Sequence, residues 1–302
     1  MSWRERIVCG GKINLRLKVT ARRPDGMHEL STLFCPVDFP ADVLEIVPGA
    51  ALTLEVPGHP ELAGPDNLVV KAAAAYAAAA GVPARWRITL DKQLPVAAGL
   101  GGGSSDAAGV LTALNRRFAA LTETELALLA RELGADVPFF LSRRMAWATG
   151  VGEVLEEADL PGRLPELLIV FPGFPVSARW AYTHMAPELV GAEEAAIRER
   201  FAAAFAAPEC APWAELCRND LAPALWRKFP LLRLLRETMR SSGALAVQVS
   251  GSGSSLFALF PSGRSAAAAE QLKRDHGNLR GLRIFTGGGE WWTGRFFSIG
   301  TA

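Results

Sequence analysis

Residues 95–115 read PVAAGLGGGSSDAAGVLTALN, with glycines at 99, 101, 102 and 103 directly ahead of an amphipathic run. Glycine takes positive φ without steric cost and lets the backbone approach a ligand closely. A helix start presents unpaired N–H groups and the positive end of its dipole. Together these predict a phosphate cradle. Ser104 and Ser105 are expected to cap the helix and offer hydroxyls, with Asp106 in its first turn. Ala107, Val110, Leu111 and Leu114 repeat at helical spacing and predict its buried face. No Lys-Ser/Thr pair follows the last glycine, so the segment is not a Walker A loop. Ser104 stands where a Rossmann fingerprint needs its third glycine.

Phosphoryl transfer also needs charge neutralisation and a group that orients or deprotonates the attacking hydroxyl. Asp136 is a candidate, in LGADVP (133–138) just past a helix stop. Pro138 is expected to hold Val137 extended and so to place the aspartate on a constrained turn, although turn formation alone would explain an aspartate there. Lys12, at the start of the apolar-alternating KINL, is the candidate partner. An adjacent ammonium would favour the carboxylate's charge and stabilise a developing alkoxide. On spacing alone an exposed strand-end lysine is the plainer reading, and nothing in the periodicity brings Lys12 near Asp136.

These residues sit in a chain of 302 residues, half of them apolar, with a formal charge of +1. That size fits one large or two medium domains, and the charge carries no nucleic-acid footprint. The four cysteines form no CxxC pair, and the four histidines include no HExxH, so neither zinc nor redox chemistry is indicated. The N-terminus lacks a signal-peptide core, and the longest small-apolar run, 72–80, is too short to span a bilayer. A soluble cytoplasmic protein is expected.

Alternation predicts half-buried strands at 13–19, 43–47 and 52–56, with a further strand at 86–90. A helix is expected from Leu68 to about Ala80, closed by Gly81 and Pro83. A second should begin at a Thr122/Glu125 capping box and stop at Gly134. Residues 159–165 read as a linker. Beyond them come an apolar strand at 167–171, helices at 193–207 and 231–241, and a strand pair around SGSG at 250–253. The Gly- and Trp-rich end, 287–302, is left unassigned.

The string from Pro95 to Asp106 resembles the ATP-phosphate loop of the GHMP kinases, named for galactose, homoserine, mevalonate and phosphomevalonate. The VSGSG at 249–253 is likewise similar to a glycine loop of that superfamily. KINL at 12–15, RPDGMHEL at 23–30 continuing through STLF, DNLVVKA at 66–72, LGADVP and GVGE at 150–153 resemble one branch of it. That branch phosphorylates a cytidine-diphosphate-linked methylerythritol. Asn219-Asp220-Leu221 is a weaker echo, and the matching blocks run from residue 12 to about 260.

The resemblance implies an α/β fold (α+β in some schemes) of two domains, 1–160 and 161–302, with the active site in the cleft between them. It implies ATP with Mg2+, a small-molecule substrate, and neither nucleic acid nor membrane as partner. Lys12 and Asp136 would be the reacting pair. Pro95, Gly99, Leu100, Gly101, Gly102, Gly103, Ser104 and Ser105 would hold the ATP phosphates, with Asn67, Leu68 and Lys92 near the base and ribose. His28 would hydrogen-bond the cytosine edge, and Asn14 would contact the erythritol-phosphate part. Val151 and Tyr182 would flank the ring, with Trp180 close enough to compete. No protein ligand for a metal is assigned. Met27 stands where the family usually has a tyrosine that helps sandwich the base. Ala178 replaces a common threonine, and Cys9-Gly10-Gly11 an Ala-Pro-Ala type lead-in to the lysine. Two other readings are another GHMP kinase, for homoserine, a sugar or mevalonate, and a GHMP-fold nucleotide-binding module without catalysis.

Overall fold

A long hairpin of two strands, β1 (Glu5–Arg22) and β2 (His28–Pro48), is the frame on which the site is hung. The computed structural model describes residues 3–160 and 164–287. Residues 161–163, inside the expected linker, and the end beyond Gly287 lie outside the described residues. Around the hairpin come β3 (Thr53–Glu55), α1 (Leu68–Ala80), β4 (Trp86–Asp91), α2 (Gly102–Phe118), α3 (Glu123–Leu133), α4 (Val137–Ser142), β5 (Ala146–Thr149) and β6 (Val154–Glu157). The first sheet has the order β3-β4-β2-β5-β6, with β1 paired to β2; β3 and β4 are parallel, joined by α1, and the other pairs are antiparallel. Helices α1 and α2 bury their apolar faces against this sheet.

The second half holds β7 (Glu166–Phe171), α5 (Ala178–Thr183), α6 (Ile197–Ala206), α7 (Trp213–Leu216), α8 (Ala222–Lys228), α9 (Pro230–Ser241), β8 (Ala246–Val249), β9 (Leu256–Phe260), α10 (Ser265–His276) and β10 (Arg283–Gly287). Its antiparallel sheet runs β10-β7-β9-β8.

Local signals act where expected. Asn67 caps α1 and Gly81 ends it at φ 64°, while Thr122 and Glu125 close the capping box of α3. Two expectations fail for tertiary reasons. The strand at 13–19 is not half-buried: β1 is buried continuously from residue 9 to 19. Its apolar residues Ile13 and Leu15 belong to one buried cluster with Phe201 and Trp213 of the second half. Its alternating Lys12, Asn14, Arg16 and Lys18 are each 6% exposed or less. Arg16 pairs with Glu193 at 2.8 Å and Lys18 with Asp220 at 3.2 Å. That pairing also explains the second failure: Glu193 leaves the expected helix, which starts only at Ile197.

Candidate active site

The chain leaves β4, crosses residues 92–101 and turns into α2 at Gly101, whose φ is 72°. A Cβ at Gly101 would lie 2.8 Å from the Phe140 ring, and one at Gly99 (φ 81°) would collide with the Ser250 carbonyl oxygen. Glycine is thus required at both. The helix starts at Gly102, earlier than a hydroxyl cap would place it, and no side chain caps it. Ser104 and Ser105 are therefore inside the first turn, not capping it. The N–H groups of Gly102, Gly103 and Ser104 have no intrahelical acceptor. These three residues line a cavity of about 320 Å³, together with Asn67, Leu68, Lys92, Pro95 and Gly99.

Two expected members of this loop turn elsewhere. The Leu100 side chain is 1% exposed and packs with Ile13 and Val37 in the core. Its carbonyl accepts the Lys12 N–H at 2.9 Å, which fixes the loop to β1 beside the lysine. Ser105 is fully buried, with its hydroxyl directed into the protein. Asp106 is not a dipole-facing carboxylate of the first turn: it is buried against Lys92 at 2.9 Å, and Lys92 also meets Asp42 at 2.5 Å. Burial, with Asp42 adding to it, pushes the Asp106 carboxyl up to about 8 against the pull of Lys92. Burial alone would lower Lys92, but Asp106 and Asp42 outweigh it and raise its pKa. The ammonium is thus committed to the loop's footing.

Asn67 is committed as well. Its Oδ1 accepts from Val69 N at 2.9 Å and its Nδ2 donates to Leu62 O at 2.8 Å. Asn67→Ala is expected to lower stability by about 1 kcal/mol, read as a shifted urea midpoint. The KM for ATP should move less than the midpoint does; the reverse pattern would make Asn67 chiefly a ligand contact.

The Lys12 ammonium lies 3.5 Å from the Asp136 carboxylate, two residues the sequence spacing had left apart. Lys12 also donates to Asn14 Oδ1 at 2.8 Å and sits 4.5 Å from the Phe34 ring centroid. Asp136 caps α4 in the helical region (φ −85°, ψ −14°), and Val137 is the first helical residue. Pro138 thus sits in a first helical turn, which tolerates proline, and does not hold Val137 extended. The Asp136 side chain stays 32% exposed while that of Lys12 is buried, and both line a cavity of about 200 Å³. This cavity shares Gly99 and Gly101 with the first one. Gly251 and Ser252 close it from the second half. Asn219 holds that closing loop, donating to the carbonyls of Val249 and Gly251 at 2.9 and 2.7 Å. Ser250 Oγ donates to the Gly99 carbonyl at 2.8 Å, joining the two glycine loops.

On the far side the pair's cavity shares Leu30, Val151, Ala178 and Tyr182 with a third, of about 600 Å³. The turn between β1 and β2 supplies Met27 to it and the first residue of β2 supplies His28; Asp25 Oδ1 holds the turn by accepting the Met27 N–H at 2.9 Å. Met27 is 52% exposed. His28 stacks on Tyr182 with ring centroids 5.2 Å apart. Trp180 stacks instead on His184 at 4.4 Å, so Tyr182 is the aromatic brought to the cavity. Burial, and then Arg22, hold His28 below its ordinary 6.5. Burial, and then Asp136, raise the Tyr182 hydroxyl's pKa, so it stays a neutral hydroxyl.

The description "GHMP kinases N terminal domain" matches residues 67–144, and "GHMP kinases C terminal" matches residues 196–278. The 4-diphosphocytidyl-2-C-methyl-D-erythritol kinase of Anaeromyxobacter dehalogenans is 40% identical over 283 residues, 90% of this chain and 87% of that one. The enzyme of the same name from Thermus thermophilus is 42% identical over 267 residues, 88% and 91% of the two chains. The chain belongs to the 4-diphosphocytidyl-2-C-methyl-D-erythritol kinase family. A crystal structure of a 4-(cytidine 5'-diphospho)-2C-methyl-D-erythritol kinase superposes with a TM-score of 0.77 at 40% identity, covering 96% of this chain and all of that one. Homoserine kinase from Cytophaga hutchinsonii shares the fold at 18% identity, with a TM-score of 0.74 and 96% of each chain covered.

In this member of the 4-diphosphocytidyl-2-C-methyl-D-erythritol kinase family, several lining residues carry no site role on sequence reasoning. Phe34, Gly251 and Ser252 line the pair's cavity, and Asp25 and Arg179 the third. The glycine-serine loop at 250–253 was a visible signal, since it follows a strand and repeats the chemistry of the first loop. Phe34 lay within the STLF match without a role of its own, and Arg179 left no signal, because its place depends on how the two halves meet. Among the described residues no group of three or more His, Cys, Asp or Glu side chains is placed to hold a metal, and no helix is long and apolar enough to cross a membrane.

Proposed function

We propose that this protein transfers the γ-phosphoryl group of ATP to the 2-hydroxyl of 4-diphosphocytidyl-2-C-methyl-D-erythritol, a step toward isoprenoid precursors. The observation that carries the reading is the row of three adjoining cavities. The glycine-loop cavity shares Gly99 and Gly101 with the Lys12–Asp136 cavity, which shares Val151 and Tyr182 with the His28 cavity. A phosphate donor at one end and a base at the other would thus meet at the lysine–aspartate pair. The chain's relatives at about 40% identity act under that enzyme name.

In this reading Asp136 orients the acceptor hydroxyl and takes its proton, while Lys12 stabilises charge on the attacking oxygen and the moving phosphoryl group. The N–H groups of Gly102, Gly103 and Ser104 hold the ATP phosphates. Asn14 meets the erythritol-phosphate part of the acceptor, and Val151 and Tyr182 border its base. The Ser104 hydroxyl, on the wall of the glycine-loop cavity, is an oxygen donor of the type Mg2+ takes and would hold the ion there. When bound, the ion neutralises charge on the phosphates. Four cysteines without a disulfide suit a cytoplasmic setting.

His28 separates this reading from a kinase for homoserine, a sugar or mevalonate, whose acceptors present no cytosine. A site built to pair with polar base edges rejects an analogue that leaves its groups unpaired. The uridyl analogue is therefore expected to be a poor substrate, and His28→Ala to erode the preference. His28 lies below 6.5, so it is neutral at physiological pH; KM for the acceptor should stay flat down to that pH and rise only as the ring protonates below it. Met27→Tyr should tighten acceptor binding by about 0.5–1.5 kcal/mol, the increment of an aromatic pair. Equal kcat/KM for the two bases in the wild type would remove the base-reading role.

A further inference from the structure

The Asn14 side chain is an amide that could sit either way round, and its neighbours allow only one. Lys12 Nζ donates to Asn14 Oδ1 at 2.8 Å, Asn14 Nδ2 donates to Thr32 Oγ1 at 2.8 Å, and the Thr32 hydroxyl donates to the Arg16 carbonyl at 2.6 Å. Both ends of this chain run one way, because an ammonium only donates and a carbonyl only accepts. Every link between them therefore has a single direction. With the amide reversed, Nδ2 would face the ammonium, and Thr32 would have to abandon Arg16 to satisfy Oδ1.

The Arg16 carbonyl is open to Thr32 because β1 is irregular at this point. Its register on β2 shifts between Asn14, opposite Phe34, and Arg16, opposite Leu33, so Leu15 has no cross-strand partner. A bulge of this kind re-aims side chains and leaves ladder groups unpaired. Thr32 is fully buried and lies outside the cavity that Lys12, Asn14 and Asp136 line. Its β-branch suits a strand, but a valine would suit it equally, so the strand itself does not need the hydroxyl.

We infer that Thr32 is a positioning residue for phosphoryl transfer: through Asn14 it holds the Lys12 ammonium beside Asp136 without touching either substrate. The inference rests on the roles given above to Lys12 and Asp136. Loss of the Thr32 hydroxyl frees the Asn14 amide to turn and leaves Lys12 without its fixed acceptor. Misplacement of a reacting group by about 1 Å can cost roughly 100-fold in rate.

The test compares Thr32→Val, Thr32→Ala and Thr32→Ser with the wild-type enzyme on two readouts. The first is steady-state kinetics with ATP and the cytidyl acceptor. Thr32→Val is expected to lose roughly 10- to 100-fold in kcat with KM for ATP unchanged. Thr32→Ser should keep the wild-type kcat, and Thr32→Val should add no further loss in an Asn14→Ala background. Thr32→Ala removes the hydroxyl without lodging a second methyl beside the Arg16 carbonyl, and stands in if the valine variant does not fold. The second readout is competitive acetylation of Lys12, measured by mass spectrometry against the exposed Lys71. It should rise in the variants without the hydroxyl and not in Thr32→Ser. A wild-type kcat in Thr32→Val, or a serine variant as slow as the valine one, would assign Thr32 to packing and overturn the inference. If the wild type fails to turn over the cytidyl acceptor while Lys12 labelling still follows the hydroxyl, the proposed reaction falls and the positioning role stands.

Discussion

Asp136→Asn is expected to lower kcat about 10²- to 10⁴-fold, the usual contribution of a positioned general base. The amide keeps the volume of the carboxylate but cannot take the acceptor's proton, and it no longer offers Lys12 a charge at 3.5 Å. Asp136 lines the middle cavity and not the glycine-loop cavity, so ATP binding should survive nearly unchanged. A coupled assay for ADP gives kcat, and calorimetry gives ATP affinity. Near wild-type turnover in the variant would remove Asp136 from the mechanism.

Gly103→Val is expected to weaken ATP binding by on the order of 100-fold, equivalent to about 3 kcal/mol, with the fold intact. The four loop glycines are not equivalent tests. A side chain at Gly99 or Gly101 would strike the Ser250 carbonyl or the Phe140 ring, and both positions have positive φ. At Gly102 a Cβ would press on Leu94 and Lys92 at 3.2 Å. At Gly103 it would meet only Leu68, at 3.8 Å, and the residue is exposed on the glycine-loop cavity. A valine there occupies ligand space and leaves the core alone. Unchanged ATP affinity with an unchanged melting temperature would make the loop a structural turn.

What the sequence made legible was what local chemistry decides. Asn67 and Gly81 bound α1, and Thr122 with Glu125 opens α3, because a cap acts within a few residues. The start of α2 was equally plain, since four glycines before an amphipathic run mark a turn that opens a helix. Its details were not: the helix begins at Gly102 because Gly101 adopts a left-handed conformation, and that demotes the two serines from caps to first-turn residues. Lys12 and Asp136 meet through contacts no spacing encodes, among them the Lys12 N–H bonded to the Leu100 carbonyl. Alternating cations on β1 read as a solvent face because their partners, Glu193 and Asp220, come from the second half of the chain. Glu193 shows the same cause from the other side, as a residue of good helix propensity withdrawn from a helix by a buried arginine.

The central claim is that one cleft brings ATP and a cytidyl alcohol together at the Lys12–Asp136 pair. ADP release measured with the wild-type enzyme, ATP and Mg2+ against a panel of acceptors tests it most directly. The panel is 4-diphosphocytidyl-2-C-methyl-D-erythritol, its uridyl analogue, homoserine, mevalonate and galactose, with mass spectrometry of the products. The account predicts rapid turnover with the cytidyl acceptor, a product carrying one added phosphoryl group, slow turnover with the uridyl analogue, and none with the other three. Preferred turnover of homoserine, mevalonate or galactose would contradict it, as would ATP binding without transfer to any acceptor.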